Sequence, residues 1–234
     1  MDINQPEHIA IILDGNRRWA RSKGLPDNEG HKTGLENIKN LIDWCLDADV
    51  KILSLYCLSV ENLKRSKEEL DFLFEYLKIR VEEIATNIKD NKKRELKYDV
   101  LGNFELLPTD IVDKIHDALD LNEKEWQNDK PKLIVNLCIC YGGRQDIVQA
   151  AQAVAAQGME INENNINANL FTKGVHDVDL LIRTGGEQRL SNFLLWQASY
   201  AELYFTDKMW PEFAKEDFTA ALDWFGNRQR RFGK

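Results

Sequence analysis

The stretch His8–Trp19, HIAIILDGNRRW, decides the fold. Its first half, His8–Leu13, is a short run that is almost continuously apolar and shows no alternation with polar residues. A run of that kind suits a strand covered on both faces, as in a parallel sheet. It breaks into Asp14-Gly15-Asn16, a turn that opens a helix at Arg17-Arg18-Trp19.

Working outward, the same pattern returns. Lys51–Leu58, Leu96–Leu101, Leu133–Cys140 and Val178–Ile182 are further apolar runs, and Ala201–Phe205 is a weaker sixth. Helical spacing fills the intervals: Leu35, Ile38, Leu41, Ile42 and Cys45 follow the 3.6 period, as do Leu70, Leu73, Phe74, Leu77 and Val81. Ile147, Ala150, Ala151 and Val154 continue it, and Phe213–Arg228 reads as a closing helix. Ile161–Leu170 reads as a loop or a short irregular helix. Alternating strands and helices predict an α/β fold, a single domain over residues 1–234 with a central, mostly parallel six-stranded sheet flanked by helices.

A chain of 234 residues can bury a sizeable core. Its 31 basic and 39 acidic side chains leave a net charge of −8, which argues against nucleic acid held by general electrostatics. No apolar stretch approaches the ~20 residues needed to cross a bilayer, and the N-terminus lacks the pattern of a signal peptide. A cytoplasmic protein is expected, with at most peripheral membrane contact. Cys45, Cys57, Cys138 and Cys140 lie in apolar segments without a CxxC pair, and the histidines sit at no metal-like spacing from them. Reduced core packing is the expectation.

The strand ends carry the chemistry. Beyond the Asp14 turn, Lys51–Leu58 leads into Ser59-Val60-Glu61-Asn62-Leu63-Lys64-Arg65, and Leu133–Cys140 into Tyr141-Gly142-Gly143-Arg144. Val178–Ile182 leads into Arg183-Thr184-Gly185-Gly186-Glu187-Gln188-Arg189-Leu190-Ser191-Asn192. Ligands of open α/β sheets bind outside the carboxyl ends of the strands. Of 12 arginines in an acidic chain, Arg17, Arg18, Arg65, Arg183 and Arg189 fall at those ends, so a local anion site is expected.

Asp14 beside such a site makes sense if a divalent cation lies between carboxylate and phosphate. The plainer alternative makes Asp14 a helix N-cap and leaves the arginines solvated. The Gly185-Gly186 turn offers backbone N–H groups close to a ligand; the alternative is a surface loop with ordinary ion pairs. His31 alone reads as a packing residue at a helix start. Glu202, the single carboxylate in the aromatic stretch Asn192–Phe205, needs a partner if buried; Asp14 and Glu202 around one metal ion is the sharper reading. No GxxxxGK[ST] or GxGxxG element appears, and no histidine serves a Ser or Cys nucleophile.

HIAIILDGNRRWARSKG…EGHKTG, LSVENLKRS, NLCICYGGRQDIV and DLLIRTGGEQRLSNFLLWQASYAELYFTD…WP together resemble the cis-prenyltransferase family, the isoprenyl diphosphate synthases that include undecaprenyl diphosphate synthase. The likeness runs from His8 to the terminal Arg-Arg-Phe-Gly. It implies condensation of isopentenyl diphosphate with an allylic diphosphate to give a Z-polyprenyl diphosphate, a precursor of a glycosyl-carrier lipid. It also implies an apolar prenyl tunnel between sheet and helices.

By the same resemblance Asp14 is essential and holds Mg²⁺, with Glu202 completing the metal environment. Gly15, Asn16, Arg17 and Arg18 cradle the allylic diphosphate, with Trp19 and His31 nearby. Asn62 takes part in proton removal, supported by Ser59, Glu61 and Arg65, and Val60 and Leu63 beside them bind substrate. Arg183, Arg189, Leu190 and Ser191 grip the isopentenyl diphosphate. Arg231-Phe232-Gly233 matches the family's C-terminal RxG element, which reaches a neighbouring site across a homodimer.

Departures from the family pattern are Asp27 in place of Arg, Gln188 in place of His, and Leu58 and Leu63 in place of aromatic residues. They bear on substrate preference more than on reaction class. Phe72 and Tyr76, one turn apart, would narrow the tunnel and shorten the product; the alternative is plain core packing. Against an active homodimer stand two other readings: a non-catalytic partner subunit of a heteromeric cis-prenyltransferase, and a phosphate-ester enzyme of another α/β family.

Overall fold

The computed structural model describes residues 5–228. The strands are β1 (His8–Ile12), β2 (Ile52–Ser59), β3 (Leu96–Leu101), β4 (Leu133–Tyr141), β5 (Leu180–Arg183) and β6 (Glu202–Phe205). They form one six-stranded sheet in the order β3-β4-β2-β1-β5-β6. The pairs β1–β2, β1–β5, β3–β4 and β5–β6 are all parallel. All six expected strands are present, with ends shifted by no more than two residues. β1 is buried at every position and lies between two neighbours, which is why its sequence carries no polar face.

The α-helices among the described residues are α1 (Asn16–Ser22), α2 (Asp27–Asp47), α3 (Lys67–Thr86), α4 (Ile88–Lys93), α5 (Thr109–Glu125), α6 (Gly143–Ala156), α7 (Glu163–Asn167) and α8 (Lys215–Gly226). The chain groups into two compact units whose boundary falls within β2. The first comprises Met1–Leu55, Asp177–Leu190 and Gln197–Lys234; the second comprises Tyr56–His176 and Ser191–Trp196.

In the first unit, β1, β5 and the start of β2 supply fully buried Ile9, Ile11, Leu53, Leu180 and Leu181. Trp210 and Phe213 cover α2: the Trp210 indole donates to the Gly34 carbonyl at 2.6 Å. Asn37 in turn donates to the Trp210 and Phe213 carbonyls. α2 begins two turns before the apolar spacing reveals it. Its buried stripe there is made of Gly30 and Gly34 rather than apolar side chains. A Cβ at Gly30 would stand 2.0 Å from the Asn16 carbonyl oxygen, and one at Gly34 would stand 2.1 Å from Asn16 Oδ1. Glycine is what allows α1 to lie against α2.

In the second unit, β3 and β4 pair along their whole common length. Ala150, Val154, Ile166 and Leu170 join α6 to α7 in a small core. Ser66 caps α3, accepting from the Glu69 N–H. Along α3 only Val81 is fully buried, and Phe72 and Tyr76 are half-buried with ring centroids 6.1 Å apart. Helices α4 and α5 were not expected from the sequence. α5 nonetheless buries Ile111, Val112, Ile115 and Ala118 at helical spacing.

All four cysteines are free thiols, three of them buried. Burial pushes the Cys57 thiol up to about 12, which keeps it un-ionised at neutral pH. Among the described residues no helix is long and apolar enough to cross a membrane. Arg231-Phe232-Gly233 lies outside the described residues.

Candidate active site

In the first unit, parallel pairing sets Ile12 opposite Arg183. Asp14, two residues past β1, therefore meets the last residue of β5. Arg183 donates through Nη2 to Asp14 Oδ2 at 2.9 Å and through Nη1 to the Arg189 carbonyl at 2.5 Å. Its side chain is only 5% exposed, a buried cation that requires this carboxylate. Asp14 Oδ1 accepts from the Gly15 N–H at 2.6 Å and from Arg18 at 3.2 Å. Burial opposes ionisation of Asp14, but the Arg183 hydrogen bond and the Arg18 charge outweigh it and hold the carboxyl below its usual range. The Asp14 carbonyl is fixed as well, by the Thr184 hydroxyl at 2.7 Å and the Trp210 N–H at 3.0 Å.

This geometry replaces two readings of the sequence. Asp14 is not the N-cap of α1: Gly15 occupies that position, with φ 106° and no side-chain cap bond. A Cβ there would also come within 2.9 Å of the Met209 Cβ. The Gly185 and Gly186 N–H groups are not available to a ligand, because they donate to the Lys208 and Thr206 carbonyls. Gly185 instead makes room: a Cβ would lie 2.7 Å from Arg18 Nη2 and push that guanidinium off Asp14.

Glu202 and Asp14 do not share a cation within one chain. Glu202 pairs with Leu180, and Leu180 with Ile9, five residues before Asp14. Glu202 therefore stands level with the amino end of β1, whereas Asp14 lies beyond the carboxyl end of that strand, about 10 Å or more further along the strand direction. The partner of Glu202 is Arg228, whose Nε donates to it at 3.0 Å. Arg17 and Arg21 both bind Asp27, which their hydrogen bonds, Arg21 first, hold down to about 2. Arg189 pairs with Glu187. Asn16 donates to the Leu13 carbonyl, while Trp19, His31 and Leu190 are half-buried.

In the second unit, Ser59 and Asn62 form a reciprocal capping box at the 3-10 turn Val60–Lys64. The Asn62 N–H donates to the Ser59 hydroxyl at 3.2 Å, and the Ser59 N–H donates to Asn62 Oδ1 at 3.1 Å. The acceptor end of the amide is thus committed, leaving its NH₂ as the end that can serve a ligand. Arg65 pairs with Glu69, and Val60 and Leu63 are half-buried. Ser191 is exposed, with φ 50°, and its carbonyl accepts from the Tyr56 hydroxyl at 3.1 Å.

Asn192, whose side chain reaches Glu61, had no role assigned from the sequence. Its partners lie 47, 48 and 131 residues away, beyond the reach of any local pattern.

Among the described residues no group of three or more His, Cys, Asp or Glu could hold a metal ion. Mg²⁺ can bind through one or two carboxylates plus substrate phosphates. Asp14 is the carboxylate at this strand end that could contribute, and its two oxygens are engaged by Arg183, Arg18 and the Gly15 N–H.

A family model described as putative undecaprenyl diphosphate synthase matches residues 12–233. The chain belongs to that family. Among its relatives, a tritrans,polycis-undecaprenyl-diphosphate synthase (geranylgeranyl-diphosphate specific) from Thermoplasma volcanium is 40% identical, over 98% of this chain and 90% of that protein. Isoprenyl transferase 1 of Corynebacterium diphtheriae is 42% identical, over 99% and 88%. A solved structure of lavandulyl diphosphate synthase from Lavandula x intermedia, in complex with dimethylallyl diphosphate, is similar with a TM-score of 0.89 and 37% identity. It covers 98% of this chain and 99% of that one. The undecaprenyl diphosphate synthase family thus accounts for both the sheet and the motifs at its strand ends.

Proposed function

We propose that this chain is an active cis-prenyltransferase that condenses isopentenyl diphosphate with an allylic prenyl diphosphate. The observation that carries the reading is the intact frame of Arg183 and Arg18 around an ionised Asp14. In the condensation the allylic C–O bond breaks, a C–C bond forms to the alkene carbon of isopentenyl diphosphate, and one proton is lost. Charge develops on the departing diphosphate, where fixed cationic donors stabilise it most. Mg²⁺, when bound, neutralises that leaving group further.

Arg17, Arg18 and the Gly15-Asn16 turn hold the allylic diphosphate; Arg183, Arg189 and Ser191 hold the isopentenyl diphosphate. Asn62 acts as a hydrogen-bond donor rather than a base, since its carbonyl oxygen is taken by the Ser59 N–H. The proton then passes to a diphosphate oxygen. The prenyl chain lies along the half-covered apolar face of α3, past Phe72 and Tyr76. A homodimer, cytoplasmic and at most peripheral to the membrane, that makes a carrier-lipid precursor completes the reading. Loss of Asp14 and its arginines would favour the silent-subunit reading, and they are retained.

The test is incubation with radiolabelled isopentenyl diphosphate and Mg²⁺, with dimethylallyl, geranyl, farnesyl and geranylgeranyl diphosphates supplied separately. Asp14→Ala serves as control and Phe72→Ala runs alongside. Elongation that vanishes in Asp14→Ala, with longer products from Phe72→Ala, is expected. A folded wild type that elongates none of the four primers would move the weight to a non-catalytic subunit.

A further inference from the structure

Ser191, Asn192 and Leu194 have φ of 50°, 65° and 42°, three of the six non-glycine residues with positive φ among the described residues. Left-handed backbone at Ser and Leu costs free energy and persists where the surroundings over-determine it. Here Phe193 is fully buried and stacks on Tyr56 at 4.3 Å, and Tyr56 donates to the Ser191 carbonyl. A further hold is Asn192. Its Oδ1 accepts from the Arg144 N–H at 2.9 Å and its carbonyl from the Gly143 N–H at 2.7 Å, so it caps α6 from outside that helix. Its Nδ2 donates to Gln145 Oε1 at 2.9 Å and to Glu61 Oε1 at 3.0 Å. Gly142 leaves space for this amide: a Cβ there would stand 2.7 Å from Asn192 Nδ2.

We infer that Asn192 is a positioning residue that ties the Ser191 segment to the turn carrying Asn62, through Glu61. Its two functions can be separated chemically. The α6 side needs only acceptors at residue 192, which Asp supplies as well as Asn, because the Gln145 amide can turn its NH₂ toward a carboxylate. The bond to Glu61 needs a donor, which Asp lacks, and a carboxylate at 192 would repel Glu61 about 3 Å away. A residue that only capped α6 would tolerate Asn192→Asp; one that positions the Glu61–Asn62 turn would not.

The inference rests on the proposed activity, so wild-type elongation is measured first; if wild type makes no product, it is that proposal which fails. Asn192→Asp is expected to keep its melting temperature while its KM for isopentenyl diphosphate rises about tenfold, the size of one lost hydrogen bond to a charged group. The KM for the allylic primer should stay within about twofold, as expected of a local change. Adding Glu61→Gln to Asn192→Asp restores a donor–acceptor pair with reversed polarity, and KM should fall back most of the way. An unchanged isopentenyl diphosphate KM in Asn192→Asp would overturn the inference. So would a double variant no better than the single one, since the link through Glu61 would then carry nothing.

Discussion

At the scale of single residues, Asp14 does two things at once: it satisfies buried Arg183 and it stays ionised at the mouth of the sheet. Its folded-state pKa lies below the ordinary 3.8, so the stability it contributes is fully present above that pH and is lost as pH falls further. Asp14→Asn should therefore destabilise the protein by about 1–3 kcal/mol at neutral pH, the cost of removing a charged hydrogen-bond partner. The gap should close below pH 3.8, and thermal unfolding of both proteins across pH 2–7 checks it. That Asp14 and Arg183 act together was legible, because both follow apolar runs of a parallel sheet. That Glu202 stands at the other end of the sheet follows from the same parallel arrangement, because it opens the sixth strand, and its pairing with Leu180 shows it directly; joining it to Asp14 overlooked this. The used-up N–H groups of Gly185 and Gly186 were hidden, since their acceptors lie about 20 residues on.

At the scale of elements, apolar runs marked the inner strands because strands buried on both faces need continuous apolar sequence, whereas the edge strands β3 and β6 are only partly buried and carry Lys97, Asp99 and Glu202 among their apolar residues. The first turns of α2 escaped for the opposite reason: their inward stripe is Gly30 and Gly34, which carry no hydrophobic signal. The consequence is testable at Gly34, which faces Asn16 Oδ1 and Trp210 Cδ1. Gly34→Ala should cost about 1–3 kcal/mol from overpacking. That corresponds to a melting temperature lower by roughly 2–12 °C for a chain of this size. Calorimetry measures the loss. Because Asn16 follows Gly15 directly at the α1 start, the same change should also raise the KM for the allylic primer, an effect that a purely structural glycine would not have.

At the scale of the whole molecule, a continuous stretch of chain, Tyr56–His176, builds most of the second unit, whereas the first is assembled from three separated segments. β3 and β4 pair partners 37 positions apart, Leu96 with Leu133. β1 pairs with β5 across 171 residues, Ile9 with Leu180. Non-local pairing is slow to form, and a ribosome delivers roughly 5–20 residues each second. During synthesis the strand that leads into Asp14 waits several seconds for its second neighbour, its apolar edge bare meanwhile. Pulse-labelled hydrogen exchange during refolding should find β3–β4 amides protected before those of β1–β5, and simultaneous protection would contradict this order. The Asp14 carboxylate is among the first residues made, yet Arg183, the buried arginine that pairs with it, arrives only when most of the chain is already out.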